Sequence, residues 1–150
     1  MPTFKLPTED ALAKILEMVA PNSSAASTAA DAGSLVYAAE FEDDEGQLVS
    51  LCLADIAAAA GLGCALSMIP PGGAEDMRSE GLSEIAEANL YEVMNMLSTV
   101  YMTESTPHLK LTKLVKIEDC PAANEDRFEV GDWSLDLGAY GTGTLSFRTV

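Results

Sequence analysis

Positive charge is scarce in this chain: 8 Lys and Arg stand against 24 Asp and Glu, so 8 − 24 gives −16 over 150 residues. With an isoelectric point near 4.1, the chain is not suited to neutralising nucleic-acid phosphates or to sitting on anionic lipid. A partner with a basic surface stays open. Lys110, Lys113 and Lys116 are too few against this acidity to change that reading. Cysteine is also sparse. Cys52, Cys64 and Cys120 are odd in number and lack a C-x-x-C spacing, which argues against a disulfide framework or a zinc site and fits a reducing cytoplasm. Each reads best as a small buried hydrophobe. Long apolar runs are missing too: Ile56 to Ile69 falls short of the ~18 residues a membrane span needs, and glycines interrupt it. Met1 to Leu6 carries one Lys and no apolar core, so no secretory signal is expected. The lone His108 has Ser105 upstream but no spacing that makes a triad, and it reads as a surface or edge histidine.

What is present is a globular composition. Apolar residues make up 48%, too many for a disordered acidic tail, and a chain this long forms one domain burying roughly 68–70% of its unfolded surface. Thr8 before Glu9 and Asp10 is a hydroxyl cap followed by acids that the helix dipole favours, and Leu12, Ile15, Leu16 and Val19 then repeat at helical spacing up to Pro21. Residues 22–33, rich in Ser, Ala and Thr, read as a loose connection. Leu35–Phe41 and Gln47–Leu53 are strand-like, joined by the acidic turn Glu42–Gly46. That turn is no calcium loop: with Gly46 at loop position six, Phe41 and Cys52 occupy positions that need carboxylates. Asp55 caps an Ala- and Gly-rich helix running to about Ile69, where Pro70-Pro71 ends it, and Gly61-Leu62-Gly63 lacks the third glycine of a nucleotide loop. After a Pro70–Gly73 loop, one long helix is expected from about Ser79 to Met102. Strands follow at Leu109–Ile117, Phe128–Leu137 and Thr144–Val150. The order predicts an α+β domain over residues 1–150, mostly antiparallel sheet packed against two long helices with a further N-terminal helix.

The long helix carries the informative pattern. At ~100° per residue, Ile85, Ala86, Asn89, Val93, Met96, Leu97 and Val100 fall within ~60° of Leu82 and form the expected core face. Opposite them lie Glu84, Ala88, Glu92, Asn95 and Thr99. Glu92 and Asn95, three residues apart, leave the same surface about one turn from each other, and Ala88 and Thr99 beside them leave room for another molecule. On spacing alone, such a pair is ordinary solvated surface. A shifted register, Glu84 with Glu87, offers a different pair but fits the apolar neighbours less well.

The string Leu90-Tyr91-Glu92-Val93-Met94-Asn95-Met96 resembles the Glu-x-x-Asn signature of the CheC/CheX/FliY family of bacterial chemotaxis phosphatases. The order of elements over residues 34–150 resembles that family as well, and the length and single signature are most similar to CheX. Two positions depart from the family pattern: Ala88 stands where Asp or Ser is common, and Thr99 where Gly is usual. The resemblance implies a CheC-like fold and a cytoplasmic phosphatase acting on the aspartyl phosphate of a CheY-like response regulator. Asn95 would orient the attacking water and Glu92 would pair with the regulator's active-site lysine, with Glu84, Ala88 and Thr99 on the partner-binding surface. It also implies no cofactor of the chain's own, the Mg²⁺ being carried by the regulator. The alternative is a non-catalytic adaptor that binds a receiver domain or a flagellar-switch component. A homodimer through the C-terminal strand, ending uncharged at Val150, is a further expectation.

Overall fold

The computed structural model describes residues 4–150. Four helices and six strands follow one another as α1 (Glu9–Val19), β1 (Ser24–Thr28), β2 (Leu35–Glu42), β3 (Leu48–Asp55), α2 (Ile56–Ala65), α3 (Pro71–Glu80), α4 (Glu84–Leu97), β4 (Lys110–Lys116), β5 (Glu129–Asp136) and β6 (Thr142–Thr149). The strands form one antiparallel sheet in the order β1-β5-β6-β3-β2-β4.

Local signals explain most boundaries. Thr8 caps α1, its hydroxyl accepting from the Ala11 amide at 3.2 Å, and Leu12, Leu16 and Val19 are buried. In the β2–β3 turn, Asp43 Oδ1 accepts from the amides of Glu45 (2.9 Å) and Gln47 (3.0 Å), and Gly46 takes φ 76°. This is an Asx-type turn, in which a carboxylate closes the backbone corner that glycine then turns. Asp55 ends β3 and caps α2: Oδ1 accepts from the Ala58 amide at 2.8 Å and the Thr144 amide at 3.1 Å, tying the helix start to β6.

The sheet separates two apolar layers. On one face Tyr37, Ala39, Phe41, Cys52, Leu135, Leu145 and Phe147 meet Leu12 and Leu16 of α1, Leu62 of α2, and Leu90, Val93, Met94 and Leu97 of α4. On the other, Leu35, Ala38, Leu51 and Leu53 are covered by Cys120, Ala122, Ala123 and Phe128 from the β4–β5 connection. All three cysteines are free and buried. Tyr101 lies at the centre of the first layer, its ring centroid 5.5 Å from Phe41 and 5.9 Å from Phe147, and its hydroxyl donates to the Leu51 carbonyl.

α2 is wedged between sheet and α4 because its side chains are nearly absent. A Cβ on Gly63 would stand 2.6 Å from the Ala86 carbonyl oxygen of α4, and one on Gly143 of β6 would stand 2.3 Å from the Ala58 nitrogen. Small residues here are what bring α4 to its place on the molecule.

Four expectations need correction. Residues 22–33 are not a loose connection throughout: Ser24–Thr28 pairs with β5 as an edge strand, held by backbone hydrogen bonding, with mainly small exposed side chains that give no alternation to read. The helix expected over 79–102 runs only from Glu84 to Leu97, and most of the stretch before it, Pro71–Gly73 of the expected Pro70–Gly73 loop included, forms a separate helix. Pro71–Glu80 is helical although Pro-Gly-Gly opens it, since proline suits the first helical turn. Gly81 at φ 94° then breaks the chain before Ser83 caps α4 by accepting from the Ala86 amide at 3.2 Å. The α4 core face is also rotated: Ile85 is 65% exposed, while Leu90 and Met94 are buried with Ala86, Val93 and Leu97. Finally, the C-terminal strand is no free edge, because β6 lies between β5 and β3; the sheet's edges are β1 and β4.

Candidate functional site

α4 is held by its apolar stripe and by one polar tie. Asn89 Nδ2 donates to the Gly63 carbonyl at 2.8 Å and to Ser67 Oγ at 2.7 Å, so the polar residue on the expected core face stitches α4 to α2. With that face inward, Glu84, Ala88, Glu92, Asn95 and Thr99 are all exposed on the outer side. Glu92 and Asn95 stand about 4.5 Å apart along the axis, since three residues rise ~1.5 Å each. Neither side chain has a hydrogen-bond or ion-pair partner among the described residues, where the one ion pair is Arg127–Glu125 at 3.3 Å.

The end of the helix beyond Asn95 is tightened. Ser98 Oγ donates to the Asn95 carbonyl at 2.7 Å and Thr99 Oγ1 to the Met96 carbonyl at 3.0 Å, and Ser98–Tyr101 continues as a 3₁₀ turn. These bonds add to the Ser98 backbone N–H, which also donates to the Asn95 and Met96 carbonyls at the helix C-terminus. They anchor the backbone under Asn95 and fold the Thr99 hydroxyl back onto the helix. The arrangement presents an acceptor-only carboxylate beside a neutral amide that both donates and accepts. No group of three or more His, Cys, Asp or Glu among the described residues is placed to hold a metal. His108 is exposed.

Next to this pair, an open groove of about 540 Å³ runs between α4 and the edge strand β4, lined by Glu84, Glu87, Ala88, Tyr91 and Leu114. It takes in two of the residues assigned to a partner surface, Glu84 and Ala88, and leaves out Thr99. The alternative pair, Glu84 and Glu87, flanks this groove. Tyr91 and Leu114 had no chemical signature in the sequence. The signal for Tyr91 is its place in the outer helical band, whereas Leu114 needs the sheet register to be known.

These features define a protein class at the level of architecture: a CheC-like α+β fold, with a six-stranded antiparallel sheet carrying its helices mainly on one face. Solved structures that share it include the following three. Thermotoga maritima FliY superposes with a TM-score of 0.56 at 13% identity, covering 93% of this chain and 82% of that one. A chain of the FliM–SpeE complex from H. pylori gives 0.57 at 10% identity, over 94% of this chain and 78% of that one. A chain of the CheX–CheY–BeF3–Mg complex from Borrelia burgdorferi gives 0.50 at 12% identity, over 94% of this chain and 94% of that one. No family model matches the sequence, and no curated protein matches it. The likeness is one of fold. No helix among the described residues is long and apolar enough to cross a membrane.

Proposed function

We propose that the chain is a cytoplasmic phosphatase that accelerates hydrolysis of the aspartyl phosphate on a CheY-like receiver domain. The observation that carries this reading is the joint exposure of Glu92 and Asn95, one turn apart on the outer face of α4, in a fold shared with a CheX structure that was solved with CheY. An aspartyl phosphate is a mixed anhydride and already reactive, so a helper has only to place a water in line with phosphorus. A carboxamide suits this work because it holds water through donor and acceptor without bringing negative charge towards the phosphoryl oxygens. Asn95 enters the receiver's site and orients the water. Glu92 pairs with the receiver's lysine and fixes the depth of entry. The Ser98 bond to the Asn95 carbonyl keeps the backbone beneath that amide from fraying. Mg²⁺ belongs to the receiver in this scheme, and α4 needs no metal ligands of its own.

A second reading has its own support: a chain of the FliM–SpeE complex shares the fold about as well as FliY does, and Ala88 and Thr99 depart from the phosphatase pattern. On that reading the chain is an adaptor. Measuring receiver binding and phosphoryl decay with the same samples separates the two. Decay that speeds up on adding the chain, and loses that acceleration in Asn95→Ala while binding persists, supports the phosphatase. Tight binding with unchanged decay selects the adaptor.

A further inference from the structure

We infer that the groove between α4 and β4 is a docking notch for a basic side chain, an arginine or lysine, on the partner that meets Glu92 and Asn95; the partner's identity, though not the notch, rests on the function proposed above. The groove is an open concavity with an aromatic wall. Tyr91 is 38% exposed, and its hydroxyl lies 3.4 Å from the Leu111 carbonyl. Leu114 of β4 adds a second apolar lining residue, and Ala88 contributes only a methyl group. At the rim, Glu84 and Glu87 have no cationic partner among the described residues, in a chain of net charge −16. The nearest strand offers Lys110, Lys113 and Lys116. Lys116 stands over the Tyr37 ring at 4.8 Å, and none of the three lines the groove.

An aliphatic stem laid on Tyr91 and Leu114, with its charged head between two carboxylates, satisfies every wall of this notch. Arginine fits best, since its planar head both stacks on an aromatic ring and forks onto a carboxylate. Position gives the notch its purpose. Ala88 and Asn95 are seven residues apart on one helix, so the basic group sits about 10 Å from the amide that enters the partner's site. The notch thereby sets which receiver docks and in what rotation, and it acts on association more than on the chemical step.

Two experiments test this. In the first, the ¹⁵N-labelled full chain is titrated at low salt with acetyl-Gly-Arg-Gly-amide, and with the neutral acetyl-Gly-Gln-Gly-amide. Shift changes confined to residues 84–91 and Leu114, specific to the arginine peptide and at least fivefold weaker in Glu84→Gln/Glu87→Gln, are expected. Equal response to both peptides, an unchanged response in the double variant, or shifts at these residues that grow with protein concentration alone (a second copy in the groove) would overturn it. In the second, Glu84→Gln/Glu87→Gln raises the concentration of chain needed for half-maximal receiver decay three- to tenfold while the rate at saturation holds. An unchanged half-maximal concentration overturns the notch as a partner determinant. Loss of acceleration in wild type itself defeats the phosphatase reading, and the peptide titration still decides the notch.

Discussion

Replacing Gly63 by alanine tests whether close packing of α2 on α4 places the site. Helix propensity alone favours the change: alanine in a helix interior is better than glycine by about 1 kcal/mol. The structure opposes it. A Cβ at this position would lie 2.6 Å from the Ala86 carbonyl oxygen, 3.2 Å from its carbon and 3.3 Å from its Cβ, and the first two are backbone atoms that move only if α4 moves. Overpacking of this kind costs about 1–3 kcal/mol. Pushing α4 away also stretches the 2.8 Å bond from Asn89 to the Gly63 carbonyl, a loss of about 1 kcal/mol. The penalties exceed the propensity gain, and Gly63→Ala is expected to destabilise by about 1–3 kcal/mol. At ~2–4 °C per kcal/mol for a chain of this size, the Tm falls by roughly 2–12 °C. Gly72, in the first turn of α3, provides the opposite sign, because a Cβ there meets nothing within 4 Å. Gly72→Ala should be neutral to stabilising by up to about 1 kcal/mol. Thermal unfolding followed by circular dichroism reads both variants. A Gly63→Ala protein as stable as wild type would refute the close-packing argument.

Further outcomes follow from the same structure. Asp55→Ala removes acceptors from the Ala58 and Thr144 amides together and should cost about 1–3 kcal/mol in denaturant unfolding; a cost below about 0.5 kcal/mol would show that water replaces both bonds. Gly141→Ala meets both a φ of 90° and the Arg78 guanidinium, whose Nη2 donates to the Tyr140 carbonyl, so it should destabilise more than Gly72→Ala stabilises, by the same assay. Burial pushes the thiols of Cys52, Cys64 and Cys120 upward, Cys52 far above its ordinary value. An unfolded thiol ionises near pH 8.5 while the buried one stays protonated, so stability from these groups is fully present below about pH 8 and declines as pH rises beyond that. Urea midpoints measured from pH 7 to 10 should fall above pH 8.5, and a Cys52→Ala variant should show a shallower fall; a flat profile contradicts the burial argument.

The sequence was most legible where short-range chemistry decides structure. Thr8, Asp55 and the Asp43–Gly46 corner announce themselves because capping and turn formation depend on residues only two to four apart. The outward direction of Glu92 and Asn95 was legible too, since both lie far enough from the apolar residues to survive an error in the helix's rotation. The rotation of the core face was not legible, because Ile85 is apolar yet exposed, while Leu90 and Met94 take the core. β1 carries no such signal, because Ala and Ser show no buried alternation when a strand is held at a sheet edge by its backbone. The break at Gly81 was hidden inside a continuous helical pattern, and only its left-handed φ reveals why the chain turns there. The groove beside α4 depends on Leu114 from a strand more than twenty residues away, a contact that no local periodicity encodes.

The most direct test of the account is the decay of a phosphorylated CheY-like receiver with wild-type chain, with Asn95→Ala and without either. Asn95 is exposed and its side chain has no hydrogen-bond partner among the described residues, so the variant should keep wild-type stability to within about 0.5 kcal/mol. Rapid loss of phosphate is expected with wild type, and a return to the receiver's own rate with the variant. Decay that is equally slow in all three samples, or equally fast with wild type and variant, would contradict it.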